Sequence, residues 1–138
     1  MSPLLLSIAC EPDHLNLRAE IGTDGRVALA SARLPDGGAL DDLLRQARRG
    51  HAAASAIAGL SRLLGELLYA GDVGRLLREH QMVDAPPPVL LGTDDACAEW
   101  PWELARDPVG GRRPALEGGG IVRIAGRVAT CAAPPAAG

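Results

Sequence analysis

The sequence lacks lysine and phenylalanine, and the first of these absences limits which partners the chain can bind. All 14 basic residues are arginine, and the formal net charge is −3. The arginines stand singly or in pairs such as Arg48-Arg49 and Arg112-Arg113, so there is no basic block. Because nucleic-acid binding requires clustered cations that neutralise phosphates, we expect no nucleic-acid partner.

A long apolar segment is also missing. The longest apolar run near the start, residues 4–10, is far shorter than the ~20 residues that span a bilayer. No positively charged leader precedes this run, as a secretory signal would require. We therefore expect no membrane partner and a cytoplasmic location.

Cysteine is scarce, with only Cys10, Cys97 and Cys131 in the chain. An odd number of widely spaced cysteines without a C-x-x-C pair argues against both a disulfide framework and a zinc site. We expect a reducing compartment, no metal and no cofactor.

What the sequence does contain is a strand pattern followed by a helix pattern. Its 138 residues suit one domain. Residues 4–9 form an apolar run, residues 15–21 alternate apolar and polar side chains, and residues 27–34 resume a strand pattern after a glycine-rich turn. The first third is therefore predicted to be a three-stranded antiparallel meander.

Helical spacing begins at Leu40. A second, longer stripe runs from Ile57 to Leu68, and Asp72 is placed to cap a third helix. Gly59 and Gly65 interrupt the long helix at a cost of about 1 kcal/mol each relative to alanine, which suggests close packing of a neighbouring element.

Short strands complete the pattern, at residues 89–91 and 121–128. The predicted fold class is α+β, with the meander, two or three helices and short strands around a Trp-Pro-Trp-Glu segment. Residues 1–128 are assigned to one subdomain, and residues 129–138, which are mostly alanine and proline, to a linker or disordered tail.

Three features in this order are similar to a known family. The first is an amphipathic helix that ends Leu63-Leu64-Gly65-Glu66-Leu67-Leu68-Tyr69 and is followed by a short leucine-rich helix. Pro101-Trp102-Glu103-Leu104 follows an apolar strand, and Val122-Arg123 belongs to the strand after a glycine-rich loop. In this arrangement the chain resembles the N-terminal region of CHAT domains, bacterial relatives of caspases and separases. The resemblance implies that the family's catalytic His and Cys belong to a caspase-like core that follows this region.

The resemblance implies a non-catalytic subdomain of a CHAT protease system, which packs against a caspase-like core. No catalytic, cofactor-binding or metal-binding residue is assigned, and no activity is expected of this chain alone. Two alternatives remain open: a fragment of a split or processed CHAT cysteine protease, and a free-standing binding protein that self-associates. The residues expected to act structurally or at an interface are Trp100, Pro101, Trp102, Glu103, Leu104 and Arg123.

Cys10 is the residue that most resembles a catalytic nucleophile, because it ends an apolar strand and His14 lies four positions later. Caspase-type folds take the base from a separate strand, so we expect Cys10 to be a buried structural cysteine. His51 and His80 are expected at helix termini, where they contact carbonyl groups or water.

Three other patterns could have either a structural or a functional role. Asp95, Glu99 and Glu103 are four residues apart, but Pro101 interrupts them, so we expect a solvated face or a Glu103 bonded to nearby backbone instead of a metal site. Gly37-Gly38 precedes a helix but lacks the Lys and Ser/Thr of a phosphate loop. Trp102 is expected in the core, and Trp100 either in the core or facing a partner.

Overall fold

The structure is a computed structural model that describes residues 3–22, 25–35, 38–48, 54–83, 85–112, 114 and 119–124. His51, Cys131 and the predicted tail at residues 129–138 lie outside these ranges.

The alternating residues of the first third form the predicted meander. Its strands are β1 (Leu4–Cys10), β2 (His14–Ile21) and β3 (Arg26–Arg33). β1 pairs antiparallel with β2, and β2 pairs antiparallel with β3. Each odd-numbered residue of β2 is buried and each even-numbered one is half-buried, as expected when strand side chains alternate between two faces.

Three helices follow, which confirms the helical stripes read from the sequence. They are α1 (Ala39–Arg48), α2 (Ala54–Leu68) and α3 (Gly71–Gln81). The prediction that Asp72 caps α3 is wrong. Ala70 occupies the N-cap position, without a side-chain cap bond. Asp72 lies inside the first turn, where its Oδ1 is 3.5 Å from Arg75 Nη1. A carboxylate in the first turn still interacts favourably with the helix dipole.

Two short strands extend the sheet on the other side of β1. β4 (Val89–Thr93) runs parallel to β1, and β5 (Ile121–Arg123) runs parallel to β4. The five-stranded sheet therefore has the order β3-β2-β1-β4-β5. The sequence predicted that this last strand covers residues 121–128. It ends at Arg123, so the prediction is wrong at Ile124, and residues 125–128 lie outside the described part of the chain.

One face of the sheet forms the core together with the helices. The buried apolar residues of the strands and, apart from Ala56, those of the three helices belong to a single cluster. Its fully buried large side chains include Leu4, Leu6, Ile8, Leu15, Leu17, Leu60, Leu64, Leu68 and Leu77. Among the described residues, no helix is long and apolar enough to cross a membrane.

The opposite face of the sheet, which we call the open face, carries a row of apolar residues. Leu5 lies opposite Leu90, and Leu90 lies opposite Val122. Val122 is 48% exposed and Leu29, near the other edge of this face, is 58% exposed. Parallel strands are usually covered on both faces, so this face departs from the usual arrangement.

Gly65 allows the chain after the second tryptophan to lie directly against α2. The Ser61 hydroxyl donates to the Leu104 carbonyl at 2.6 Å, and the Arg106 amide donates to the Ser61 carbonyl at 3.3 Å. A methyl group at Gly65 would overlap the Arg106 carbonyl, whereas one at Gly59 would lie 3.6 Å from Leu43, an ordinary contact. Close packing therefore explains Gly65 but not Gly59.

This difference gives a matched pair of variants. Gly65→Ala should destabilise the protein by about 2 kcal/mol or more, because the overlap with backbone outweighs the better helix propensity of alanine. Gly59→Ala should stabilise it by up to about 1 kcal/mol. Urea unfolding monitored by circular dichroism measures both free energies, and equal effects of the two changes would contradict the packing argument.

Candidate functional site

Asp94 joins the end of β4 to the end of β1 through hydrogen bonds. Its Oδ2 accepts a hydrogen bond from the Cys10 amide at 2.8 Å, and its own amide donates to the Ile8 carbonyl at 3.2 Å. The Cys97 thiol donates to Asp94 Oδ1 at 3.5 Å. The segment that carries the tryptophans therefore leaves the sheet from a fixed point.

Both tryptophans are packed inside the chain. Trp102 is completely buried, and its indole Nε1 donates to the Cys97 carbonyl at 3.2 Å. Trp100 is only 8% exposed, and the two ring centroids lie 5.5 Å apart at an angle of 31°. Trp102 occupies the core as predicted, and Trp100, which the sequence left open, also packs against the core.

The backbone around the tryptophans forms two short 3₁₀ turns instead of one helix. These turns, Asp95–Cys97 and Trp102–Leu104, are separated by a proline, as the sequence indicated. Asp95, Glu99 and Glu103 therefore do not lie along one helix face. In the described ranges, no group of three or more His, Cys, Asp or Glu side chains could hold a metal ion.

Arg123 joins the last strand to the tryptophan segment. Its guanidinium donates two hydrogen bonds to the Glu103 carboxylate, from Nε at 2.7 Å and from Nη2 at 2.8 Å. The same group donates to the Ala98 and Trp100 carbonyls, each at 2.5 Å. One planar cation thus binds a carboxylate bidentately and caps two backbone carbonyls, a geometry that lysine cannot reproduce. We call these contacts the Arg123 clamp.

The clamp also changes the acidity of its members. The hydrogen bond from Arg123 lowers the pKa of Glu103 despite the opposing effect of burial, and Glu103 raises the pKa of Arg123. The expectation that Glu103 bonds nearby backbone or faces solvent is confirmed in part, because a backbone hydrogen bond at Glu103 also lowers its pKa and its side chain is 43% exposed. The main partner of the Glu103 carboxylate is the donor Arg123 from β5, 20 residues away in sequence.

The other family-like residues hold the same turn. The Leu104 amide donates to the Pro101 carbonyl at 2.9 Å, and the Leu104 carbonyl accepts the Ser61 hydroxyl of α2. Pro101 and Leu104 are both half-buried. The structure therefore brings together all six predicted structural or interface residues, and each makes contacts within this chain.

Cys10 does not form a nucleophile–base pair with His14. Cys10 lies opposite Leu15 on the buried face of the sheet, and strand alternation places His14 on the open face. His14 Nδ1 instead lies 2.7 Å from Asp13 Oδ1. Burial, reinforced by the negative charges of Asp94 and Glu11, raises the pKa of the Cys10 thiol. A raised pKa suits a structural thiol, since the thiolate is the nucleophilic form.

Two further sequence candidates, His80 and Gly38, lie at helix ends. His80 is buried near the end of α3, and its Nε2 lies 2.9 Å from the Pro87 carbonyl, which confirms the predicted carbonyl contact. Gly38 precedes α1 with a positive φ of 75°. His51 and Gly37 are outside the described residues, so their predicted roles remain predictions.

Sequence reasoning missed a partly buried ion pair between Asp107 and Arg78 of α3. Asp107 is 4% exposed, and both of its carboxylate oxygens lie 3.0 Å from Arg78 Nε. The Val109 amide donates to the same carboxylate at 2.9 Å, and Arg78 also lies 5.2 Å from the centre of the Tyr69 ring. Although burial opposes ionisation, these hydrogen bonds lower the pKa of Asp107. No local pattern in the sequence links residues 29 positions apart.

Replacing Arg123 tests how much the clamp stabilises the fold. Arg123→Ala should destabilise the protein by about 2 kcal/mol, because two carbonyls and a carboxylate lose their donor. The matched control is Arg26→Ala. Its ion pair with Glu79 at 2.9 Å is exposed on both sides, so its loss should cost less than about 1 kcal/mol. Thermal and urea unfolding measure both changes, and equal losses would contradict a special role for Arg123.

The pH dependence of the free energy of unfolding should reveal how much the ionised Glu103 carboxylate stabilises the fold. A carboxylate whose pKa is lowered in the folded state stabilises the fold above its ordinary value of 4.5 and loses that contribution as pH falls through the folded pKa. Wild type should therefore be more stable than Glu103→Gln at pH 7, by at most about 1 kcal/mol because the pair is partly exposed. The difference should shrink below pH 4.5. A difference that stays constant with pH would argue against the ionised pair.

Comparison with known proteins adds no family assignment. No family model matches the chain, and no curated protein matches it. The functional argument therefore depends on the residues of the chain and on their geometry.

Proposed function

We propose that this chain is the non-catalytic N-terminal subdomain of a CHAT protease system and acts as a packing module for a caspase-like core. The observation that carries the proposal is the Arg123 clamp. The resemblance depends on three features, and the clamp joins two of them, the tryptophan segment and the last strand, through Glu103 and Arg123. Residues that act together to build one turn are expected of a structural hallmark.

The thiols support a non-catalytic role for the described part of the chain. Burial raises the pKa of both Cys10 and Cys97, and Asp94 raises each of them further. Neither thiol has an imidazole partner among the described residues, and His14 lies on the other face of the sheet from Cys10. This arrangement opposes thiolate formation, which peptide cleavage by cysteine requires.

The open face gives the core a place to dock. Leu5, Leu90 and Val122 form a continuous apolar row across the three parallel strands. β5 forms one edge of the sheet, so a partner that covers this row could also continue the sheet beyond β5. A caspase-like α/β core offers helices and strands of the kind that cover parallel sheets.

Affinity capture tests the proposal. Tagged chain purified from its native host should recover a polypeptide that carries the His and Cys of a caspase-like core, identified by mass spectrometry. Val122→Glu should reduce this capture, because it places a charge in the apolar row. Val109→Glu is the matched control. Val109 is 79% exposed on the loop after Asp107, away from the open face, so this variant should retain capture.

Three results would contradict the proposal. One is recovery of no caspase-like polypeptide under several lysis conditions. Another is equal capture by the two glutamate variants, which would remove the open face from the interface. Peptidase activity of the purified chain that disappears in Cys10→Ala would also overturn the non-catalytic role.

A further inference from the structure

β3 is a long, exposed edge of the sheet. It spans eight residues, and among the described strands it pairs with β2 alone. Edge strands present unpaired backbone groups that can template pairing with another chain, and most proteins protect such edges. The kind of partner that fits this edge follows from its hydrogen-bonding pattern and its side chains.

The register fixes which backbone groups are free to pair. The Leu34 amide donates to the Asp13 carbonyl at 2.9 Å, and the antiparallel pattern alternates from there along the strand. The alanines of β3 therefore bond β2. The residues whose N–H and C=O groups point away from β2 are Val27, Leu29, Ser31 and Arg33.

Apart from the exposed charge of Arg33, this edge carries none of the usual protective features. The strand contains no proline or lysine, and its register with β2 is continuous from Arg26 to Arg33, without a bulge. Val27 is 48% exposed and Leu29 is 58% exposed. Arg26 is held on the helical side by Glu79 at 2.9 Å, so its charge does not shield the edge.

We propose that two copies of this chain pair through β3, antiparallel about a two-fold axis that passes beside Ala30. This register joins the two sheets into one and uses all four outward-pointing residues of each strand. It places Val27 opposite Arg33 of the second copy and Leu29 opposite Ser31 of the second copy. The ladder contains roughly eight new backbone hydrogen bonds.

The charges on the open face favour a second copy over an unrelated strand. Val27 lies opposite Glu20 of β2, and both side chains face the same side as Arg33. Within the described part of the chain, Arg33 has no ion pair with a nitrogen–oxygen distance of 4.0 Å or less.

In the paired sheet, Arg33 of each copy lies two strands, about 10 Å, from Glu20 of the other copy. The aliphatic stem of the arginine covers Val27 between them, and its guanidinium reaches toward the carboxylate. Within its own chain Glu20 already accepts a hydrogen bond from Arg18 at 2.7 Å, so Arg33 of the other copy adds a second cation near this carboxylate. The two-fold pairing repeats this arrangement at both ends of the ladder.

The inference does not depend on the proposed function, because β3 and β5 are opposite edges of the sheet. Pairing through β3 leaves the row of Leu5, Leu90 and Val122 accessible to a core. A failure of one proposal is therefore distinguishable from a failure of the other.

Sedimentation velocity of the purified chain tests the pairing. The wild type should sediment, as its concentration rises, toward twice the 14.3 kDa mass of one chain. Ser31→Pro removes an outward-pointing N–H that β2 does not use, and Leu29→Lys places a charge on the edge. Each should raise the dissociation constant of the dimer at least about tenfold.

Val122→Lys is the matched control, because Val122 is exposed to a similar extent on the other edge strand. It should leave the dissociation constant unchanged, and circular dichroism should confirm that all variants are folded. A wild type that stays monomeric at its highest soluble concentration would overturn the proposal. So would dissociation caused by Val122→Lys but not by the β3 variants.

Amide hydrogen exchange provides a second readout that does not depend on a variant. Val27, Leu29, Ser31 and Arg33 should become protected as the wild-type concentration rises, while the alanines between them should be protected at every concentration. Uniform protection without this alternation would contradict strand pairing. Protection of the four amides only after addition of a different protein would overturn the choice of a second copy as the occupant.

Discussion

The parallel pairing of β1 with β4 is the contact on which the rest of the structure depends. It brings residues 4–8 next to residues 89–93 and makes β1 the central strand of the sheet. The antiparallel meander extends from one side of this pair, and β5 with the tryptophan segment extends from the other. Asp94 sits where the pair ends, and its bonds to the Cys10 amide and the Cys97 thiol direct the chain into the first 3₁₀ turn.

The tryptophan segment is held from two directions by contacts of different kinds. On one side, α2 approaches closely at Gly65 and provides the Ser61 hydroxyl to the Leu104 carbonyl. On the other side, the Arg123 clamp binds Glu103 and two backbone carbonyls. Between these supports Trp102 is completely buried, so this short segment has a fixed conformation despite its lack of long regular structure.

Features encoded by local periodicity could be predicted from the sequence. The alternation of Leu15 and Leu17 with polar neighbours predicted β2, and the meander and the α+β class followed from such patterns. The glycines of the long helix predicted close packing at both Gly59 and Gly65, and this is correct only for Gly65, because a methyl group at Gly59 would make an ordinary contact with Leu43. The assignment of Asp72 failed because capping depends on the residue at which the helix begins, and a shift of one or two positions changes the role of a side chain.

Contacts between distant residues could not be predicted in this way. Glu103 with Arg123, and Arg78 with Asp107, become partners only through the strand order and the packing of α2. The separation of Cys10 from His14 is easier to predict than these long-range contacts, because it depends only on which face of the sheet each side chain occupies. That face follows from the alternation once the register of β1 and β2 is known.

The positions of the two tryptophans also determine the intrinsic fluorescence of the protein. The chain contains two tryptophans, one tyrosine and no phenylalanine, and both indoles lie in the clamped segment with their ring centroids 5.5 Å apart. Because both indoles are largely shielded from water, their emission is expected at shorter wavelength than that of solvated tryptophan, and their proximity allows their transitions to couple. The intrinsic fluorescence of the whole protein is therefore a local signal from this one turn.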